Sequence, residues 1–265
     1  MNPTPDPPDG IRRLLAIVAR LRGKDGCPWD REQTLASLKP NLIEECYEVV
    51  DAVDAGDASH HAEELGDLLL QIAMQAQIRA ESGDFTFDDV ANRIADKLIR
   101  RHPHVFGDVQ VGNADDVLRN WDKIKAGEKA EGADSALGGV PRHLPALQKA
   151  QRVQARAARV GFDWERIADV IAKVEEETSE TREAIAGGDA ARIREELGDL
   201  LFAVVNLTRF CKVEAEEALQ ATVAKFMRRF GEVERRVREE GKSLRDCSLA
   251  VMDAHWEAVK RAERQ

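Results

Sequence analysis

Carboxylates at helical spacing carry most of the chemistry that this sequence offers. Glu44-Glu45-x-x-Glu48 is followed by Glu64-x-x-Asp67, and Glu176-Glu177-x-x-Glu180 by Glu196-x-x-Asp199. At about 100° per residue, Glu64, Asp67 and Gln71 occupy one narrow strip beside an apolar arc, with Glu196 and Asp199 on the equivalent strip. Glu44, Glu45 and Glu48 likewise border a buried stripe. If the two helices pack antiparallel, Glu45, Glu48, Glu64 and Asp67 meet at the edge of the core. Four facing carboxylates repel one another and are driven toward protonation. A hard divalent cation relieves that repulsion, and an all-oxygen ligand set suits Mg²⁺, with Mn²⁺ as the second choice. A solvated acidic face is the competing reading, weakened because the pattern occurs twice.

A basic pattern also occurs twice, as Lys97-x-x-Arg100-Arg101 and Lys225-x-x-Arg228-Arg229. Lys97 and Arg101, like Lys225 and Arg229, lie four apart and share one helical face. Arginine forks and lysine point charges are what polyphosphate oxygens bind. Alone, such a cluster is an ordinary wet surface; beside a metal cradle in both copies it reads as a phosphate clamp. Trp121 and Trp256 could stack on a base, although packing in a core is the commoner use of tryptophan. The chain contains no G-x-x-x-x-G-K-[ST] or G-x-G-x-x-G loop and no Glu-x-x-His, which argues against phosphate-cradling turns and ferritin-type di-iron chemistry. His102-Pro103-His104 has no second-copy equivalent and is expected as a loop after the basic helix.

These groups lie on a duplicated chain. Residues 44–69 align with 176–201 at a constant offset of 132, with 14 of 26 positions identical. Unrelated segments of ordinary composition would share roughly one or two. Trp121-x-x-x-Lys125 is matched by Trp256-x-x-x-Lys260. The predicted buried faces are Leu42, Cys46, Val49, Val50 and Val53 on the first motif helix, then Leu65, Leu68, Leu69, Ile72 and Ala76 on the second. Leu197, Leu200, Leu201 and Val204 repeat the latter. Gly56-Asp57 and Gly188-Asp189 are a helix stop followed by an N-cap, so each helix pair should be an antiparallel hairpin. Further helices are expected over 87–101, 114–125, 214–240 and 248–264. Gly66 and Gly198 sit inside helices, where a close helical neighbour or a ligand would explain them. The expected fold is all-α, two related helical bundles in tandem. The first spans 8–125, the second 142–265, with a linker over 126–141 rich in Gly, small and charged residues.

Composition sets the outer limits. The 265 residues are 33% charged and 5% aromatic, a helix-favouring profile. The net charge of −10 disfavours global affinity for nucleic acid or anionic membrane. No stretch reads as a secretory signal or membrane span. Cys27, Cys46, Cys211 and Cys247 form no C-x-x-C pair, as expected of reduced cysteines in a cytoplasmic protein.

Taken together, these residues resemble the MazG family of nucleoside triphosphate pyrophosphohydrolases, in the full-length two-copy bacterial form. The carboxylate pattern is joined by Cys27-Pro28-Trp29-Asp30, by Arg100-Arg101-His102-Pro103-His104-Val105-Phe106-Gly107, and by Leu144-Pro145-Ala146-Leu147 running to Arg159-Val160-Gly161-Phe162-Asp163-Trp164. The resemblance covers nearly the whole chain. It implies an all-α homodimeric enzyme that cleaves an NTP or dNTP to the monophosphate and pyrophosphate. It further implies Glu177, Glu180, Glu196 and Asp199 as Mg²⁺ ligands. Lys173, Lys225 and Arg229 match phosphate contacts, and Trp256 a nucleotide contact. The first copy offers Glu45, Glu48, Glu64, Asp67, Lys97, Arg101 and Trp121. The family often carries Asn two residues before the clamp lysine, where this chain has Val223 and Ala95. A carboxylate not fully used by the metal, Glu176 or Glu177, is the expected base, and the second copy the expected main catalyst. Its Thr178, Thr181 and Arg182 replace Cys46, Val49 and Val50, which suggests weaker burial or a wetter site. The alternative is a nucleotide-sensing or partner-binding module that does not hydrolyse its ligand.

Overall fold

The computed structural model describes residues 10–113, 116–117, 120–121, 124 and 135–263, and among them every regular element is a helix. The chain divides into two compact units, Met1–Glu128 and Lys129–Gln265. Most of the linker expected over 126–141, and much of the helix expected over 114–125, lie outside the described residues. No helix among the described residues is long and apolar enough to cross a membrane.

In the first unit, α1 (Gly10–Arg22), α2 (Pro28–Glu32), α3 (Leu38–Ala55), α4 (Ala58–Glu81), α5 (Phe87–Arg101) and α6 (Pro103–Phe106) follow in order. The α3–α4 hairpin is its frame. Gly56 stops α3 at φ 70°, in the left-handed region that a side chain resists. The Asp57 carboxylate then accepts the Ser59 and His60 backbone N–H groups, satisfying two donors that α4 leaves unpaired. Helix α1 lies on α4, and Val18, Leu38, Ala73 and Met74 form the core. A capping box between Thr86 and Asp89 starts α5. The expected loop at 102–104 instead opens a helical turn, because Pro103 supplies a preset φ at the first position of α6.

One buried cation fastens the connection between α1 and α3. The Arg22 side chain is 6% exposed. Its Nε and Nη2 donate to the two Glu81 oxygens at 2.8 Å each, and its Nη1 donates to the Asp30 and Gln33 carbonyls. The guanidinium thus joins three parts of the chain through one planar fork.

The second unit contains α7 (Ala146–Arg159), α8 (Ile167–Gly187), α9 (Ala190–Phe210), α10 (Ala215–Glu239), a 3₁₀ turn (Leu244–Asp246) and α11 (Leu249–Ala262). Gly188, at φ 73°, and Asp189, accepting from the Ala191 N–H, repeat the first hairpin turn between α8 and α9. Helix α7 is tied on by buried amides. Gln151 donates to the Val213 carbonyl and accepts from Ala215 N–H, while Gln154 donates to the Phe202 carbonyl. Val233, Val237 and Val259 pack α10 on α11, flanked by Trp256.

The expected buried stripes need correction. On α3 the buried residues are Leu38 and Ala52, Leu42 and Val49 are half-buried, and Cys46, Val50 and Val53 are exposed. On α4, Ala76 is buried, Leu68 and Leu69 are half-buried, and Leu65 and Ile72 are exposed; on α9, Leu197, Leu201 and Val204 are exposed too. Each motif helix packs mainly on its hairpin partner. Only part of each apolar arc is therefore covered within the unit. Periodicity identifies an apolar face without saying whether the same chain covers it.

Candidate active site

The antiparallel hairpins bring carboxylates from two helices together in both units. Glu45 and Glu48 of α3 meet Glu64 of α4, and Glu177 and Glu180 of α8 meet Glu196 of α9. Within each trio, one oxygen per residue lies within 4.8 Å of the others. Glu64 and Glu177 are buried, at 9% and 6% exposure. Burial raises the Glu45 pKa, partly offset by a hydrogen bond from Gln71, and the Asp67 and Glu48 charges raise it further. Burial likewise raises Glu180, with added repulsion from Glu177, Glu196 and Glu176. Three hard oxygen donors clustered under mutual repulsion are what a divalent cation relieves.

The two trios are braced differently. In the first unit, the Gln71 amide donates to Glu45 at 3.3 Å, and the His60 ring nitrogen lies 3.3 Å from Glu64. In the second, Lys173 pairs with Glu176 at 2.8 Å and Glu177 at 2.7 Å, and Arg192 with Glu196 at 3.4 Å. Those carboxylates hold the Lys173 pKa above its ordinary range, Glu176 most and Glu177 next. The Thr181 hydroxyl donates to the Glu196 carbonyl across the hairpin at 3.3 Å. Thr181 is 6% exposed, so the polarity of α8 at this position bonds the helices together without admitting water.

The other anticipated residues divide by position. Asp67 and Asp199 are exposed and stand outside the two trios, although the Asp67 charge acts on Glu45. Glu176 is exposed and held by Lys173, and Glu44 is exposed. Lys97 and Lys225 are exposed, whereas Arg101 and Arg229 are half-buried. Arg229 donates from Nε to Glu263 at 2.8 Å, and Arg228 pairs with the same carboxylate at 2.9 Å. Together they pull the Glu263 pKa down to about 2, with Arg229 the larger cause. The Arg229 guanidinium also lies 5.9 Å from the Trp256 ring centre, and Phe226 lies 5.2 Å from it. Trp121 meets His102 edge-on at 4.9 Å. Among the described residues, Arg229 is paired with Glu263 and makes no ion pair with the acidic trio of its unit.

Three braces were not singled out from sequence: His60, Arg192 and Glu263. The first two had a signal, since they stand at equivalent positions of the repeat and each lies four residues before a trio glutamate. Glu263 had none. The amide of Gln71 lay on the acidic strip, yet its bond to Glu45 needed the hairpin crossing.

The glycines of the repeat are also informative. Among the described residues, a Cβ built at Gly66 or Gly198 meets nothing within 4 Å beyond its chain neighbours and its own helix backbone, so no neighbouring helix of the same unit requires them. Replacing Gly198 by Ala should stabilise α9 by about 1 kcal/mol, raising the melting temperature of ligand-free protein. If the same change weakens nucleotide binding severalfold, the open space belongs to the ligand; unchanged stability would remove the open-space account.

Comparison with known proteins assigns this arrangement. Residues 33–106 and 166–233 each match the MazG nucleotide pyrophosphohydrolase domain family. The chain is 48% identical over 259 residues to a nucleoside triphosphate pyrophosphohydrolase of Escherichia coli K12, covering 96% of this chain and 98% of that one. It is 44% identical over 250 residues to the nucleoside triphosphate pyrophosphohydrolase/pyrophosphatase MazG of Thermotoga maritima, covering 94% and 95%. An uncharacterised Bacillus subtilis protein, YabN, is 49% identical over 251 residues, but these are 51% of its own length. The two matched segments carry both trios and both basic clusters, and this chain belongs to the MazG nucleotide pyrophosphohydrolase family.

Proposed function

We propose that the protein is a divalent-metal-dependent nucleoside triphosphate pyrophosphohydrolase, cleaving an NTP or dNTP to the monophosphate and pyrophosphate. The observation that carries this reading is the pair of carboxylate trios set at hairpin crossings inside both family segments. Glu177, Glu180 and Glu196 hold Mg²⁺ in the second unit, with Asp199 one turn further on. Glu45, Glu48, Glu64 and Asp67 do the same in the first, and Mn²⁺ fits the same oxygens. The cation supplies charge neutralisation on the triphosphate. Lys173, Lys225 and Arg229 take the phosphate oxygens and stabilise the pyrophosphate as it leaves, and Trp256 packs on the nucleoside. Lys97, Arg101 and Trp121 are the first-unit counterparts. Glu176, exposed and close enough for its charge to act on Glu180, accepts the proton of the attacking water. The second unit is the main catalyst because Lys173 stands beside its trio, where the first unit has Asn41.

The apolar faces left open on α3, α4 and α9 support a homodimer, in which a second copy covers them. The acidic net charge and the absence, among the described residues, of a membrane-crossing helix support action on free nucleotides in the cytoplasm. In the competing reading, the units bind nucleotide without cleaving it. Purified protein given Mg²⁺ and a panel of NTPs and dNTPs should release pyrophosphate and no orthophosphate; binding without release would select the sensor.

The bond to Glu263 adds a testable detail. Its carboxylate engages the two guanidiniums that a phosphate would bind. Glu263→Gln should therefore lower KM for the triphosphate severalfold with kcat little changed. A raised KM would mean that Glu263 orients Arg229 instead of competing for it.

A further inference from the structure

The repeat allows the braces of the two trios to be compared position by position. At the offset of 132, Asn41 stands where the second unit has Lys173, His60 where it has Arg192, and Gln71 where it has Ala203. The second trio is accordingly compensated from within. Lys173 lies 2.7 Å from Glu177 and Arg192 lies 3.4 Å from Glu196, so two permanent cations stand against three carboxylates.

The first trio has no such compensation. Among the described residues, no lysine or arginine is paired with Glu45, Glu48 or Glu64, and the side chains that act on Glu45 are a neutral amide and two carboxylates. The imidazole beside Glu64 carries charge only when protonated. Gln71 is 7% exposed, its amide nitrogen reaches Glu45, and its oxygen is buried without a partner. The amide that touches Glu45 thus also carries a buried oxygen with an unmet bond, a demand that water of a cation's hydration shell can answer.

We propose that the first trio is a standing divalent-cation site, filled without nucleotide, whereas the second takes its cation only together with a triphosphate. The inference rests on the metal-dependent reading above and deepens it. A lone cation approaching the second trio meets the field of Lys173 and Arg192, which weakens it by at least roughly tenfold. A triphosphate changes that balance. Its oxygens draw Lys173 from Glu176 and Glu177 and add negative charge, so nucleotide and cation raise each other's affinity at this unit. The first unit has no lysine to release, and its cation affinity depends less on nucleotide.

Titration of the metal-free full-length protein with Mn²⁺ tests this. Calorimetry should count one tight Mn²⁺ per chain, lost in Glu48→Gln and kept in Glu180→Gln. Adding an α,β-methylene triphosphate should bring a second Mn²⁺ to the wild-type chain. Lys173→Met should bring it without nucleotide, a gain that misfolding cannot imitate. Two equal ions in the nucleotide-free wild type, or loss of the single ion in Glu180→Gln alone, would overturn the asymmetry and leave the metal reading intact. No Mn²⁺ at either unit, with or without the analogue, would overturn both.

Discussion

Glu180→Gln should cost at least on the order of a hundredfold in Mg²⁺-dependent pyrophosphate release, and should raise the melting temperature of the metal-free protein. The first effect follows from losing one charge of a three-carboxylate cation site, since even groups that only support metal ligands are worth 10–100-fold. The second follows from the repulsion that the site holds when empty. The folded-state pKa of Glu180 lies above its ordinary value because burial desolvates it and Glu177, Glu196 and Glu176 repel it. A carboxylate raised in this way favours the folded state at pH values low enough to protonate it. That contribution fades as pH rises from the ordinary carboxylate range through the folded pKa. Above the ordinary carboxylate range the repulsion works against the folded state, and glutamine removes it with little change of shape. Mg²⁺ should raise the wild-type melting temperature, because an ion bound only by the folded state stabilises it by mass action. In Glu180→Gln that response should persist, since the first trio keeps its ion, while the further rise given by Mg²⁺ together with an α,β-methylene triphosphate should be lost. Thermal melts with EDTA, with Mg²⁺ and with Mg²⁺ plus the analogue, beside a pyrophosphate assay, check all three results. Wild-type turnover in the variant would remove the second trio from the mechanism, and a lower EDTA melting temperature would show that Glu180 supports the fold.

This pairing of lost activity with gained stability was only half legible in the sequence. Repetition at a fixed offset marked the acidic positions, and Gly56-Asp57 and Gly188-Asp189 located the hairpin turns that bring them together. Helical projection could not say which acids the crossing would gather. Glu64 and Asp67 share a strip, but three residues separate them by about 4.5 Å along the axis. The trio forms around Glu64, and Asp67 stays exposed beyond it. The apolar stripe on α3 was also only half informative. Val50 and Val53 obey the helical period as well as Ala52 does, yet only Ala52 faces a helix of its own unit. A covering surface on another chain leaves the same periodic trace as an internal core. The braces were legible only where the copies differ, as at Asn41 and Lys173, since identical positions contain no contrast.

Arg22→Met should destabilise the first unit by about 2 kcal/mol, or roughly 8 °C in its melting. The guanidinium is 6% exposed and holds both oxygens of Glu81, while Nη1 bonds the Asp30 and Gln33 carbonyls. Methionine fills much of the same space but donates nothing. Removing one partner of a fully buried ion pair costs about 3–5 kcal/mol. Here the Glu81 side chain is 38% exposed, so water solvates the abandoned carboxylate and the cost is smaller. The two carbonyls contribute the remainder, because they hold the segment between α1 and α3 against the end of α4. Arg22→Lys should fall between, since an ammonium cannot span both Glu81 oxygens and the carbonyls in one plane. The pH dependence separates ion pairing from packing. Arg22 holds the Glu81 pKa below its ordinary value, with Gln77 adding a smaller push. A depressed carboxylate contributes stability above the ordinary range and loses it as pH falls through the folded pKa. The difference between wild type and Arg22→Met should therefore shrink below about pH 4. A difference that persists unchanged at pH 3 would assign the loss to packing around the arginine stem, and a difference under about 0.5 kcal/mol at pH 7 would show that the segment is held without the fork.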